Sequence, residues 1–131
     1  MSKRSPTRRA RVLIVEDEVM IALDLKNTMS DLGFDVCGLA PSDSKARSLA
    51  MRDQPDIVLM DVCLSGGREG IETARWVREV CGASVVFVTA NTDPATVERI
   101  REQVPGAPIL PKPVYRHSLA DAMAAVMPLA A

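Results

Sequence analysis

The chain has 131 residues, the length of a single domain, and its 47% hydrophobic and 25% charged residues are typical of a globular protein. Aromatic residues make up only 3%, too few for the base-stacking surfaces that bind single-stranded nucleic acid. No apolar run comes near the length of a membrane-spanning helix, roughly 20 residues. We therefore expect neither nucleic acid nor a membrane among the partners.

The charge is unevenly distributed along the chain, although its net value is only −1. The first 11 residues carry five basic side chains and no acid, and the rest carries 11 basic and 17 acidic side chains. We interpret residues 1–10 as a disordered basic leader, residues 11–128 as the folded domain and residues 129–131 as a tail. The three cysteines form no CxxC motif, which favours a reducing cytoplasm.

Taken in chain order, short apolar runs alternate with helical stretches. The predicted strands cover residues 12–15, 34–39, 56–60, 84–88 and 107–110. A helix follows each strand, and the five helices end near residues 32, 54, 80, 103 and 127. This alternation predicts a flavodoxin-like, doubly wound α/β fold: a five-stranded parallel sheet in the order 2-1-3-4-5, with five helices in a three-layer sandwich.

Local signals mark several helix ends. Gly33 ends the first helix, in which apolar residues recur near helical spacing at Met20, Leu23, Met29 and Leu32. Ser42 or Asp43 caps the second helix. Asp93 followed by Pro94 places a capping side chain before a proline at the first helical position, a strong start signal for the fourth helix.

Four of the apolar runs end in polar side chains of matching chemistry. The first runs into Glu16, Asp17 and Glu18, the third into Asp61, the fourth into Thr89 and the fifth into Lys112. Because the carboxyl ends of parallel strands meet at one edge of a sheet, these groups should line one crevice. Acids, a hydroxyl and a lysine together suit a divalent cation and a phosphoryl group.

Asp61 is the centre of this predicted site, since an ionised carboxylate can attack an activated phosphorus. Glu16 and Asp17 can hold Mg²⁺, while Lys112 and Thr89 can contact phosphoryl oxygens. Each residue alone also has a purely structural interpretation. The acids after the first strand could stabilise a helix N-terminus, and Asp61 could cap a loop. Lys112 could be a solvated lysine, and the Thr89 hydroxyl could belong to a turn. Glu18 we assign to the helix N-terminus. The coincidence of the others at successive strand ends favours the site.

The sequence resembles the receiver domain of response regulators over about residues 11–128. Four segments carry the resemblance: Val12-Leu-Ile-Val-Glu-Asp-Glu18, Asp56-Ile-Val-Leu-Met-Asp-Val62, Phe87-Val-Thr-Ala90 and Pro111-Lys-Pro-Val114. The resemblance implies that Asp61 accepts a phosphoryl group from a phosphohistidine. It also implies that Mg²⁺ binds Glu16, Asp17, Asp61 and the backbone carbonyl of Cys63, and that Thr89 and Lys112 contact the phosphoryl group. A cis bond before Pro113 and a small Ala90 beside the site belong to the same pattern.

The chain departs from that family pattern at three places. Ile109 stands where many members carry an aromatic residue that moves together with the threonine, so the signal is expected to pass through the loop after Thr89 and the helix at 94–103. The loop after Asp61 reads Leu64-Ser65-Gly66, without the common proline. The first acid is Glu16, whose arm is longer than that of the frequent aspartate.

We expect a stand-alone receiver that is no enzyme beyond its own phosphorylation and dephosphorylation. Its partners are a sensor histidine kinase or a histidine phosphotransfer protein and an unknown downstream protein, and a homodimer stays open. It signals either as an adaptor, through protein contacts, or as a relay that passes the phosphoryl group on. The alternatives are a pseudo-receiver that binds without phosphorylation, a receiver fragment of a hybrid kinase, and a small phosphatase. We interpret His117 as a surface residue and Trp76 as a packing residue, and Gly66-Gly67-x-x-Gly70 lacks the spacing of a dinucleotide fingerprint.

Overall fold

The computed structural model describes residues 9–64 and 69–127, and for Glu69 only the backbone. Most of the predicted leader and the predicted tail at 129–131 lie outside these residues, as do Ser65 and Gly66 of the loop after Asp61. Ala10, assigned to the leader, belongs to the folded part: it is buried, and its carbonyl oxygen accepts a hydrogen bond from the Asp35 N–H at 2.9 Å.

Five strands and five helices alternate along the described chain, as predicted. The strands are β1 (Arg11–Val15), β2 (Asp35–Ala40), β3 (Ile57–Met60), β4 (Ser84–Thr89) and β5 (Ile109–Pro111). The helices are α1 (Val19–Asp31), α2 (Asp43–Asp53), α3 (Glu69–Cys81), α4 (Pro94–Gln103) and α5 (Arg116–Val126). The fifth strand begins two residues later than predicted, and the closing helix begins two residues earlier.

The sheet is parallel and has the order β2-β1-β3-β4-β5, which confirms the predicted topology. Successive residues of β1 face opposite layers, because side chains alternate along a strand. Leu13 and Val15 pack into a core with α2, α3 and α4, whereas Val12 and Ile14 pack into a second core with α1 and α5. The central strands are therefore buried on both faces, which explains their unbroken apolar runs.

Helix α1 presents a different face to the core from the one predicted. Its buried residues are Ala22, Leu25 and Met29, spaced three and four apart as one helical face requires. Met20 and Leu23, predicted as part of that face, are 78% and 42% exposed. The sequence contains two overlapping apolar stripes that share Met29. Packing against the sheet buries the stripe that also contains Ala22 and Leu25.

Capping side chains begin α2 and α4, and a glycine follows α1, as predicted. The Ser42 hydroxyl accepts the Lys45 N–H at 3.2 Å and so caps α2. Asp93 caps α4 in the same way, accepting the Thr96 N–H at 3.2 Å, with Pro94 next. Gly33 follows α1 with a φ of 95°, in the left-handed region that favours glycine.

Polar contacts between α2 and α3 centre on Asp43. Its carboxylate accepts hydrogen bonds from the buried Thr73 hydroxyl and from Arg47 Nε, the latter at 2.8 Å. Burial acts against the charged form, but these two bonds outweigh it and lower the pKa of Asp43. The Arg47 guanidinium also lies 5.0 Å from the centre of the Trp76 ring, which packs against the core as predicted.

Candidate functional site

Backbone hydrogen bonds between neighbouring strands continue for one residue past the strand ends. These bonds fix the positions of the polar residues. The Glu16 N–H donates to the Ala40 carbonyl at 2.9 Å, and the Asp61 N–H donates to the Val15 carbonyl at 3.0 Å. The Lys112 N–H donates to the Thr89 carbonyl at 2.9 Å. These bonds fix the ends of all five strands relative to their neighbours in the sheet, so the polar side chains that follow the strands meet at one edge.

Three acids meet at this edge, as the sequence predicted. One carboxylate oxygen each from Glu16, Asp17 and Asp61 lies within 4.8 Å of the other two. Glu16 and Asp61 are buried, at 3% and 5% exposure. Such a group of hard oxygen donors has the chemistry that Mg²⁺ prefers, because this ion binds carboxylates and retains several waters.

Lys112 lies between two of the acids. Its Nζ is 2.8 Å from Glu16 Oε1 and 3.5 Å from Asp61 Oδ2. The second oxygen of each acid has a backbone partner: Glu16 Oε2 accepts the Glu18 N–H at 3.1 Å, and Asp61 Oδ1 accepts the Cys63 N–H at 3.2 Å. Each acid thus has one oxygen held by the backbone and one oxygen facing the lysine.

The burial of these groups shifts their pKa values. Burial raises the pKa of the Glu16 carboxyl, and the hydrogen bond with Lys112 offsets only part of that effect. Burial likewise raises the pKa of Asp61 despite the attraction of Lys112. Burial disfavours the charged form of Lys112, but the contacts with Glu16 and Asp61 outweigh it and raise the pKa of the lysine. One lysine does not fully neutralise the acids.

A second observation indicates that the three acids suit a divalent cation. The buried Glu16 Oε1 and Asp61 Oδ2 share the single ammonium group of Lys112, at 2.8 and 3.5 Å. Two buried carboxylates that share one positive charge gain free energy from a bound cation. Glu16, Asp17 and Asp61 are the side chains that would hold it. The backbone carbonyl of Cys63 stays a prediction.

The hydroxyl of Thr89 is engaged in a turn. Thr89 is fully buried, and its Oγ1 accepts the Asn91 N–H at 3.0 Å, which is the turn alternative considered from the sequence. Asn91 Oδ1 in turn accepts the Asp93 N–H at 3.3 Å, and Asp93 caps α4. Hydrogen bonds thus connect the Thr89 hydroxyl to the first turn of α4.

The accessory residues take the following positions. Ala90 is exposed beside Thr89, at the end of β4. The peptide bond between Lys112 and Pro113 is cis, as the resemblance implied. Ile109 is partly buried and packs against the core. His117 is exposed and stacks on Tyr115 with ring centres 6.1 Å apart, consistent with its prediction as a surface residue.

Gly70 packs against the backbone beside Asp61, a role that the sequence interpretation did not assign to it. It lies in the first turn of α3, and its N–H donates to the Val62 carbonyl at 3.1 Å. A Cβ at this position would lie 1.9 Å from the Asp61 carbonyl oxygen. The available signal was a glycine at a helix start, because the missing side chain permits close backbone approach.

These geometries agree with comparisons to known proteins. A sequence profile described as the response regulator receiver domain matches residues 12–124. The chain belongs to this family of receiver domains. The receiver domain is also similar to the transcriptional regulatory protein PdtaR of Mycobacterium tuberculosis, with 37% identity over 92 residues, which cover 70% of this chain and 44% of that protein. It therefore spans less than half the length of that relative.

Solved structures include close matches to this receiver domain. The signal receiver domain of a modulated diguanylate cyclase from Desulfovibrio desulfuricans superimposes with a TM-score of 0.81 and 32% identity, over 89% of this chain and 92% of that one. The receiver domain of PhyR from Erythrobacter litoralis gives 0.77 and 25% identity, over 97% and 100%. None of the helices in the described residues is both long and apolar enough to cross a membrane.

Proposed function

We propose that this receiver domain is a Mg²⁺-dependent phosphoacceptor switch in which Asp61 takes a phosphoryl group from a phosphohistidine. The donor is a sensor histidine kinase or a histidine phosphotransfer protein of the cytoplasm. The observation that carries the proposal is the buried Asp61 carboxylate, with Lys112 3.5 Å away and two further acids in the same cluster. Membership in the receiver family supports the same chemistry.

The proposed transfer forms one bond and breaks one. A carboxylate oxygen of Asp61 attacks phosphorus, the N–P bond of the donor histidine breaks, and its electron pair returns to the imidazole nitrogen. The other ring nitrogen carries a proton, so the imidazole leaves neutral. A bound Mg²⁺ supplies charge neutralisation for the phosphoryl oxygens. Lys112 and Thr89 stabilise the remaining negative charge, which is the main requirement of phosphoryl transfer.

The output of the switch is proposed to run through protein contacts. The Thr89 hydroxyl donates to the Asn91 carbonyl at 3.5 Å and accepts the Asn91 N–H at 3.0 Å, so a rotation that turns it toward a phosphoryl oxygen breaks both bonds. That rotation alters the loop whose residues lead to the cap of α4. Phosphorylation would thereby change the surface at the start of α4 without an aromatic residue at position 109. We propose no catalysis beyond the domain's own phosphorylation and dephosphorylation.

Intact mass spectrometry tests the proposal directly. The protein is incubated with a small phosphodonor and Mg²⁺, with parallel samples containing EDTA, the variant Asp61→Asn, or the control Asp35→Asn. Asp35 is an exposed acid at the opposite end of the sheet. We expect one added phosphoryl group in the wild type and the control, and none with EDTA or Asp61→Asn. Incorporation that survives Asp61→Asn would refute the proposal.

Two other outcomes would assign the domain differently. Absence of both Mg²⁺ binding and phosphoryl incorporation would make it a pseudo-receiver, a binding module that needs no phosphate. Multiple turnover of a free phosphoester, lost in Asp61→Asn, would make it a phosphatase. Hydrolysis of its own acyl phosphate, by contrast, is part of the switch.

A further inference from the structure

We propose that Asp43, at the start of α2, is a positioning residue for the phosphoacceptor Asp61, on which it acts through α3. Its hydrogen bond with Thr73 holds α3 against the backbone that follows Asp61. This inference rests on the proposed function, because it concerns phosphorylation of the same aspartate. Asp43 itself lies on a different helix from the acidic cluster and is not among its acids.

The contact between Asp43 and Thr73 joins the starts of α2 and α3. The Thr73 hydroxyl donates to the Asp43 carboxylate. Thr73 is fully buried, whereas the side chain of Asp43 is 37% exposed. Arg47 Nε donates to the same carboxylate oxygen at 2.8 Å and thereby helps to fix its direction. A charge-assisted hydrogen bond therefore sets the separation of the two helices at this level.

The start of α3 also touches the backbone of the phosphoacceptor segment. Gly70 and Thr73 are three residues apart, so they lie on the same side of α3. The Gly70 N–H donates to the Val62 carbonyl at 3.1 Å, and a Cβ on Gly70 would lie 1.9 Å from the Asp61 carbonyl oxygen. The helix thus packs directly on backbone atoms, with no side chain between them that could absorb a displacement.

The peptide group that Gly70 contacts also holds the Asp61 carboxylate. The Val62 carbonyl and the Cys63 N–H belong to one planar peptide group. The carbonyl of this group accepts the Gly70 N–H, and its N–H donates to Asp61 Oδ1 at 3.2 Å. A displacement of α3 therefore passes through a rigid unit to the carboxylate. Because phosphoryl transfer requires an attacking oxygen that is in line with the bond that breaks, the orientation of this carboxylate affects the rate.

Two substitutions of Thr73 separate positioning from packing. Thr73→Val keeps the shape of the buried side chain but removes the hydroxyl, whereas Thr73→Ser keeps the hydroxyl and removes a buried methyl group. With a small phosphodonor and Mg²⁺, Thr73→Val should slow phosphoryl incorporation per folded molecule by about tenfold. Thr73→Ser should incorporate at the wild-type rate, although it unfolds at a lower urea concentration. Equal slowing in the two variants would indicate packing alone and overturn the inference.

Asp43→Ala removes the acceptor from the exposed side of the pair and so avoids a change in the core. Ser42→Ala is its control, because it removes the cap of α2 at the neighbouring residue but leaves Asp43 in place. Asp43→Ala should slow incorporation as much as Thr73→Val, and the double variant should be no slower than either, since one contact is lost in all three. Equal slowing by Ser42→Ala, or additive effects in the double variant, would overturn the inference.

Amide hydrogen exchange in NMR reports the positioning without any phosphorylation. Loss of the contact between Asp43 and Thr73 should accelerate exchange at the Gly70 amide by about fivefold, because its hydrogen bond with the Val62 carbonyl weakens. The Asp35 amide, bonded to the Ala10 carbonyl at the opposite end of the sheet, should not respond. Unchanged exchange at Gly70 in Thr73→Val and Asp43→Ala would overturn the inference.

The same measurements distinguish the inference from the proposed function. A wild-type protein that takes up no phosphoryl group would refute the proposed function, while exchange at Gly70 would still decide whether Asp43 holds α3 in place. Phosphorylation of Asp61 at the wild-type rate in Thr73→Val would refute only the positioning role.

Discussion

The substitution Gly70→Ala tests whether close backbone contact holds the phosphoacceptor segment in place. The added Cβ would lie 1.9 Å from the Asp61 carbonyl oxygen and 2.7 Å from the Val62 carbonyl oxygen. Both neighbours are backbone atoms, so no side-chain rotation can relieve the overlap. Either α3 or the segment after β3 must therefore move by more than 1 Å before these atoms reach an ordinary van der Waals separation.

The magnitude follows from three contributions. Overpacking in a well-packed region costs about 1–3 kcal/mol. Loss of the Gly70 N–H bond to the Val62 carbonyl, at 3.1 Å, costs about 1 kcal/mol more. Alanine regains up to about 1 kcal/mol through its higher helix propensity. We expect a net loss of about 1–3 kcal/mol in the free energy of unfolding.

Urea denaturation measures the loss, and the rate of phosphoryl incorporation measures its effect on Asp61. Gly38→Ala is the matched control, since the three atoms nearest its Cβ would all be side-chain atoms, of Leu49, Leu13 and Asp53 at 3.2, 3.3 and 3.9 Å. We expect the control to phosphorylate at the wild-type rate per folded molecule and Gly70→Ala to phosphorylate more slowly. Wild-type stability and rate in Gly70→Ala would refute the reasoning.

Three further predictions concern the switch, the α2–α3 contact and the core. Thr89→Val leaves the Asn91 N–H without its acceptor, so hydrogen exchange at that amide should accelerate; unchanged exchange would mean that the turn does not depend on the hydroxyl. Asp43, whose folded-state pKa is lowered, stabilises the fold above the unfolded pKa of about 3.9, and this contribution disappears as the pH falls through the folded value. Asp43→Asn should therefore destabilise in urea at neutral pH but not in acid, and a pH-independent loss would contradict this. Met29→Ala should cost about 2–5 kcal/mol and Met20→Ala under about 0.5 kcal/mol in the same assay; equal losses would contradict the packing of α1.

The sequence by itself determined the architecture and the identity of the polar residues at the strand ends. Apolar runs of four or five residues, separated by capped helices, allow few arrangements other than a parallel sheet between two layers of helices. Once the sheet is parallel, residues that follow different strands must share an edge. The acids Glu16 and Asp61 could therefore be paired with Lys112 from chain order alone.

Only the tertiary structure decided which atoms meet and which faces are buried. Met20 and Met29 are equally apolar, and the sheet rather than local propensity selects between them. The contact of Lys112 with Glu16 rather than chiefly with Asp61 depends on differences of less than 1 Å. Gly70 is identified by the Asp61 carbonyl, which approaches it from the segment after β3. These contacts join segments that are distant in the chain. Local sequence patterns do not predict them, because packing depends on both contacting segments.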